Sequence, residues 1–240
     1  MLKIYLNNTT ELHKEAQSDT EEYKNEFRNM KIKICGLKEV DNIRQVSVAN
    51  PDYMGFIFYT KSSRFVGEEF SKTALDEIPD NIIKTAVFVN ESLENILKIV
   101  TKYDFKAVQL HGHESPETCR QLKQQNLIVI KAFAIDDTFN FETLHPYVGP
   151  CDYFLFDTKT NHFGGSGRVF DWGLLRNYKL ETPFILSGGL GVENLEAVLK
   201  IKHDKLYGLD FNSRLEDKPG LKNIPLINKV LDTIRNYEHI

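Results

Sequence analysis

From Met30 onward the chain alternates short apolar or β-branched runs with longer amphipathic stretches, and it does so eight times. Strict alternation of this kind leaves few folds open, because successive strands joined by covering helices must run parallel with right-handed crossovers. The strand candidates are Ile32–Cys35, Tyr53–Phe58, Thr85–Val89, Ala107–Leu110, Ile128–Phe133, Tyr153–Asp157, Phe184–Ser187 and Leu206–Asp210. Most are continuous apolar runs, as expected of strands covered on both faces. Between them, Leu93, Ile96, Leu97 and Val100 follow the i, i+3, i+4, i+7 spacing of a helix with one buried stripe, and Ile227, Val230, Leu231 and Ile234 repeat it. Ser115 before Pro116 reads as an N-cap with proline in the first turn. The fifth and sixth helices are poorly marked. Eight units over about 210 residues fit a single closed (β/α)8 barrel of the α/β class, a TIM barrel of minimal size, better than an open doubly wound sheet.

The barrel is expected to occupy 30–240. Residues 1–29 differ from it: they are polar, carry the acidic stretch Asp19, Glu21 and Glu22, and lack a strong apolar stripe after Leu2, Ile4 and Leu6. They read as an appendage, a misplaced start or a tag; the competing reading is a short helix that docks on the barrel or on a neighbouring subunit.

A chain of 240 residues buries enough surface to need no disulfide or structural metal. Its three cysteines, Cys35, Cys119 and Cys151, are too few and scattered for a disulfide framework, so a reducing compartment is expected. Thirty Lys+Arg against thirty-four Asp+Glu give a net charge of −4 with no basic stripe, which argues against a nucleic-acid partner. No apolar run approaches the roughly 18–20 residues that span a bilayer, and the N-terminus lacks the layout of a signal peptide. A soluble, cytoplasmic protein acting on a small molecule is expected, with no membrane partner.

In such a barrel the C-terminal strand ends converge on one mouth. Here they present Cys35-Gly36, Gln109-Leu110-His111-Gly112, Asp157-Thr158-Lys159, Ser187-Gly188-Gly189 and Asp210-Phe211-Asn212-Ser213, with Arg64 in the loop after the second strand. Ser187-Gly188-Gly189 between a strand and a helix suits a phosphate, because glycine lets the backbone approach and free N–H groups attract an anion. Asn212 and Ser213 would complete the cup; the plain alternative is a tight turn without ligand. Gly164-Gly165-Ser166-Gly167 reads as a lid or a plain loop. Cys35 is either a small buried hydrophobe or a base whose thiol pKa a nearby cation or phosphate-site dipole lowers. Asp157 ends an apolar run, where desolvation would raise its pKa and suit a general acid; an N-cap or a salt bridge with Lys159 is the competing reading. Gln109, His111 and Asp210 are expected to contact the substrate. His111 and His113 lack carboxylate or thiol partners at metal-binding spacing, so no metal is expected. Cys119 and Cys151 are assigned to packing.

Lys33-Ile34-Cys35-Gly36-Leu37, Gly55-Phe56-Ile57-Phe58-Tyr59-Thr60-Lys61-Ser62-Ser63-Arg64, Val87-Phe88-Val89-Asn90 and Val108-Gln109-Leu110-His111-Gly112 resemble, in order, the motifs of the phosphoribosylanthranilate isomerase family. Asp157-Thr158-Lys159-Thr160, Gly164-Gly165-Ser166-Gly167 and Ser187-Gly188-Gly189-Leu190 continue the likeness, which covers about residues 31–236. The resemblance implies an Amadori rearrangement of N-(5-phosphoribosyl)anthranilate in tryptophan biosynthesis, without cofactor or metal, by a monomer or homodimer. It further implies Cys35 as general base, Asp157 as general acid, Arg64 on the anthranilate carboxylate and Gly188-Gly189 on the phosphate. Two departures stand out. Asp210-Phe211-Asn212-Ser213-Arg214-Leu215-Glu216 replaces the family's Asp-Val-Ser-Ser-Gly-Val-Glu, and Gly191-Val192 stands where Asn-Pro is common. Two rivals are the sister isomerase of histidine biosynthesis, whose catalytic pair is two aspartates, and a silent barrel that binds phosphorylated ligands without turnover.

Overall fold

The computed structural model describes residues 30–159 and 170–237. The appendage at 1–29 and the Gly164-Gly165-Ser166-Gly167 stretch lie outside them. Eight parallel strands close into a barrel in sequence order. In chain order the regular elements are β1 (Lys31–Ile34), α1 (Val40–Val48), β2 (Tyr53–Ile57), α2 (Lys72–Asp76), β3 (Ile83–Phe88), α3 (Leu93–Tyr103), β4 (Ala107–Leu110), α4 (Pro116–Lys123), β5 (Ile128–Ile135), β6 (Tyr153–Thr158), β7 (Phe184–Leu186), α5 (Leu195–Val198), β8 (Leu206–Phe211), the hairpin strands β9 (Glu216–Lys218) and β10 (Leu221–Lys222), and α6 (Ile224–Arg235). Every barrel strand falls where the apolar runs predicted, with its ends displaced by no more than two residues.

The well-marked helices form for the expected reasons. Ser92, Ser115 and Asn223 accept hydrogen bonds from backbone N–H groups three residues on, which caps α3, α4 and α6. Asp104 stops α3 in the left-handed conformation at φ 54°. In the two poorly marked crossovers the described residues form 3-10 turns and no α-helix. A 3-10 turn at Phe141–Tyr147 follows β5 and another at Trp172–Asn177 precedes β7. Pro146 inside the first removes a backbone donor and keeps it short. After β7, one 3-10 turn at Val192–Asn194 leads into the four-residue α5. These segments still cover the sheet, because Phe141, Leu144, Leu175, Leu195 and Val198 are buried.

Strand periodicity separates two environments. On β1, Ile32 and Ile34 join the apolar shell between barrel and helices while Lys33 turns inward; on β6, Phe154 and Phe156 join that shell while Leu155 turns inward. The shell is heavily aromatic, with Phe156 packed against Phe141, Tyr178 and Phe184. Inside the barrel lies a small separate cluster of Ile130, Ala132, Leu155 and Ile185. Tyrosines floor it at the N-terminal ends of the strands. Tyr53 and Tyr207 hydroxyls lie 2.9 Å apart, and the Tyr153 and Tyr207 rings stack at 4.1 Å. Tyr207 reaches this face through a register shift, because Phe184 and Ile185 of β7 pair with Leu206 and Gly208 of β8. Cys119 and Cys151 are buried free thiols, in keeping with packing roles.

Burial pushes the Tyr53 phenol from 10.0 up to about 12. The folded protein therefore keeps that proton after the unfolded chain has lost it, so the stabilisation is complete below pH 10 and is lost as pH rises through 12. Urea midpoints are expected to fall between pH 10 and 12. Tyr53→Phe should cost about 1 kcal/mol at neutral pH and make the alkaline fall shallower; an unchanged alkaline slope would show that Tyr53 does not titrate in this way.

Candidate active site

All ten candidate residues line one cavity at the C-terminal mouth, about 760 Å³ including its opening: Cys35, Arg64, Gln109, His111, Asp157, Gly188, Gly189, Asp210, Asn212 and Ser213. Strand period explains the convergence. Gln109, Asp157 and Asp210 share the inward phase of their strands, and Cys35 stands one step beyond β1, anchored by its N–H to the Phe211 carbonyl at 2.9 Å. Gly36 follows in the left-handed region at φ 80°, and a Cβ there would meet Asn212 Oδ1 at 2.6 Å and Arg64 Cδ at 2.7 Å. Glycine is thus required where the loops after β1, β2 and β8 meet.

The Asp157 carboxylate is fixed on both sides. Its Oδ1 accepts from the Thr158 N–H at 2.8 Å, and its Oδ2 lies 3.4 Å from His111 Nε2. These surroundings are more polar than the apolar run before Asp157 suggested. Lys159 pairs with Asp136 at 2.5 Å instead of with Asp157. His111 Nδ1 faces Gln109 Nε2 at 3.5 Å. Gln109 Oε1 is buried without a hydrogen-bond partner among the described residues, an acceptor that a ligand hydroxyl or amine would satisfy.

For Cys35 the pKa expectation needs correcting. Cations do stand beside it, Lys33 first and Lys222 second, but burial outweighs them and the nearby Asp210 adds to it, so the thiol stands above its ordinary value. Lys33 was not among the residues singled out, although its spacing of two from Cys35 put it on the same strand face. Its ammonium bonds Asp210 Oδ1 at 2.9 Å, with the two side chains 1% and 5% exposed. Asp210 therefore reaches the cavity already engaged by Lys33, with its Oδ2 3.4 Å from Ser187 Oγ.

Arg64 is likewise engaged. Its Nε lies 3.0 Å from both Glu216 oxygens and its Nη2 2.7 Å from Oε2, which leaves the far edge of the guanidinium for a ligand. Glu216 also accepts from Lys222 Nζ at 2.6 Å, and Lys222 bonds Asn212 Oδ1 at 2.8 Å. Lys222 is fully buried, and burial pushes its ammonium down to about 8. No sequence signal marked it, because it sits in a two-residue strand beyond the last barrel strand.

Gly188 and Gly189 adopt φ 87° and 67°, and their N–H groups meet no protein acceptor among the described residues. The helix expected behind them is short, a 3-10 turn leading into the four-residue α5. Bare amides and the short turn replace a macrodipole, and Asn194 braces the loop by accepting from Gly191 N–H at 2.9 Å and donating to the Gly189 carbonyl at 2.8 Å. That bond pair accounts for a stable turn without the usual Asn-Pro. Arg214 lies over Gly191, where a Cβ would meet its side chain at 2.9 Å, and reaches Glu193 at 3.6 Å; it ties the loops after β7 and β8 together without a strained backbone.

The fold and cavity define a (β/α)8-barrel enzyme whose mouth joins a thiol, a carboxyl and a glycine-rich loop. The profile of the family described as N-(5′-phosphoribosyl)anthranilate (PRA) isomerase matches residues 32–233, and the chain belongs to that family. The N-(5′-phosphoribosyl)anthranilate isomerase of Parabacteroides distasonis is 43% identical over 206 residues, covering 85% of this chain and 93% of its own. The crystal structure of the Thermotoga maritima phosphoribosyl anthranilate isomerase superposes with a TM-score of 0.75 at 32% identity, covering 86% of this chain and 98% of its own. A structure of the isomerase in complex with reduced 1-(o-carboxyphenylamino)-1-deoxyribulose 5-phosphate has a TM-score of 0.73 at 28% identity, with 87% and 100% covered.

At Gly188 a Cβ would stand 2.4 Å from Thr158 Oγ1 and 2.8 Å from Asp157 Oδ1. Gly188→Ala is therefore expected to displace the β6 end, weakening inorganic phosphate binding and turnover at least tenfold while the barrel still folds. Calorimetry with phosphate and a far-UV spectrum check this; wild-type affinity would show that the loop tolerates a side chain.

Proposed function

We propose that this mouth carries out an Amadori rearrangement with Cys35 as general base and Asp157 as general acid. The enzyme is an isomerase of tryptophan biosynthesis that converts N-(5-phosphoribosyl)anthranilate to 1-(2-carboxyphenylamino)-1-deoxyribulose 5-phosphate. The observation that carries the assignment of roles is the convergence of Cys35 and Asp157 on one cavity edged by Gly188 and Gly189. Asp157, as the acid, protonates the ribose ring oxygen. The furanose opens to an iminium, which acidifies the C2′ proton. Cys35, as thiolate, removes that proton to give an enolamine, and tautomerisation yields the ketone. Acid and base act on different atoms of one sugar, so they must flank it.

The remaining residues fit binding roles. The free edge of Arg64 suits the anthranilate carboxylate, since a guanidinium donates two parallel hydrogen bonds. Ile57, Val87, Val89 and Leu190 give the same cavity apolar walls for an aromatic ring. Gly188, Gly189, Asn212 and Ser213 form one cup for the 5′-phosphate, with the Asn212 oxygen already held by Lys222 and its NH2 left to donate. Gln109, His111 and Asp210 face the sugar between them. A single cup and a thiol on the first strand favour this substrate over the doubly phosphorylated one of the sister isomerase. The ligand is then a phosphorylated small molecule, without nucleic acid or membrane. No described helix is long and apolar enough to cross a bilayer. The same reading places the enzyme in the cytoplasm as a monomer or homodimer.

The test is the fluorescence of freshly made phosphoribosylanthranilate, followed with purified enzyme. Cys35→Ser should cut turnover by about 10²–10⁴ with phosphate affinity kept, because a hydroxyl is a far poorer base; near-normal turnover would remove Cys35 from the role. Asp157→Asn should abolish ring opening to a similar degree, and retained activity would assign the acid elsewhere.

A further inference from the structure

Lys33 takes no part in the steps above and does not line the cavity, yet it is a charged group sealed inside the barrel. It sits opposite Asp210 in the β1–β8 register, with its ammonium 2.9 Å from Oδ1. Two residues later on the same inward face comes Cys35. Gly55 of β2 leaves the hollow that both fill: a Cβ there would stand 2.7 Å from Cys35 Sγ and 3.1 Å from Lys33 Nζ. Sulfur and ammonium are thus neighbours around one missing side chain, the ammonium sealed inside the barrel and the sulfur at the edge of the mouth. We propose that Lys33 is the positioning residue for the base: its ammonium, clamped by Asp210, is the fixed countercharge that allows the Cys35 sulfur to carry negative charge inside a closed barrel.

This rests on the reading of Cys35 as base. A thiolate in a buried site is costly unless an opposite charge faces it. The charged groups that act on the sulfur are Lys33 from β1, Asp210 from β8 and Lys222 from β10, with Arg64 acting on Lys222 and Asp157 acting on Asp210. Lys33 is the foremost of those that favour the thiolate, and Asp210 opposes it. The Asp210 carboxylate keeps Lys33 protonated against its burial. Asp210 therefore plays two parts of opposite sign: it holds the cation in place and it repels the anion. The thiol proton leaves to solvent through the open mouth before substrate covers it, and Lys33 retains its own proton throughout.

The countercharge is testable without turnover. The pH dependence of iodoacetamide alkylation at Cys35, with the adduct located by peptide mass spectrometry, reports the thiol midpoint in the full chain. Lys33→Met should raise that midpoint by about one pH unit or more and lower kcat at pH 7.5 about tenfold while KM holds. Lys33→Arg, which keeps the charge, should hold the midpoint closer to the wild-type value. A Lys33→Met midpoint that stays at the wild-type value, or a Lys33→Arg midpoint that rises as far as that of Lys33→Met, overturns the proposal. If Lys33→Met does not fold, Lys33→Gln decides: an upward shift supports the countercharge, and none or a downward one ends it. Full turnover by Cys35→Ser would overturn the base assignment instead, and leaves the alkylation shifts to be judged separately.

Discussion

Closure of β8 against β1 is the contact on which the site depends. Four register pairs, Lys31 with Gly208 through Ile34 with Phe211, join strands separated by most of the chain, and the Cys35 N–H extends the ladder one step further onto the Phe211 carbonyl. Without that seam Lys33 and Asp210 would each be an unpaired charge in the barrel interior, a state costly enough that groups of this kind neutralise instead of persisting. With it, both are satisfied, and the sulfur is delivered to a rigid edge of the mouth. The inward-facing side chains of the cavity are thus placed by the barrel's hydrogen-bond ladder, with loops supplying the rim.

The interior changes character along the axis. Tyrosines close the bottom, a small aliphatic cluster fills the middle, and charged or amide side chains occupy the top. The top-layer lysines and arginine each meet a carboxylate, Lys33 with Asp210 and both Arg64 and Lys222 with Glu216, and Lys222 also bonds the Asn212 amide oxygen. Pairing of this kind pre-orients the groups before a ligand arrives, so that little reorganisation remains for the reaction itself. It also explains why glycine recurs at the mouth. Gly36, Gly55 and Gly188 each border a polar side chain that a single methyl would collide with, so the compactness of the charged layer is achieved by leaving out side chains around it.

How much of this was legible in the residues varies with the range of the interaction. The eight strands were, because a doubly covered strand is a continuous apolar run whatever its neighbours are. The ten mouth residues were, because strand-end position and period two bring them inward together. The crossovers after β5 and β6 were legible only as weak, since covering a sheet needs a few buried apolar side chains such as Phe141 and Leu175 and does not need a full helix. The electrostatics were not legible. Asp157 looked apolar in sequence but is held by Thr158 and His111; Cys35 looked poised for a lowered pKa but is governed by burial; Arg64 looked free but is held by Glu216. Nothing local marks Lys33 or Lys222 as buried, because lysine in a short strand is ordinarily solvent-facing.

By itself the sequence determined the alternation, hence the parallel barrel, and the order in which thiol, carboxyl and glycine-rich loop reach the mouth, because hydrophobic periodicity and strand phase are local properties of the chain. Only the tertiary structure decided which charges meet: that Lys33 faces Asp210 beside the sulfur, that a hairpin lysine holds Asn212, and that Glu216 takes one edge of Arg64. The reason is physical. The energy of a buried charge depends on partners brought near by folding, across more than a hundred residues for Lys33 with Asp210 and Arg64 with Glu216, and no local pattern encodes that distance.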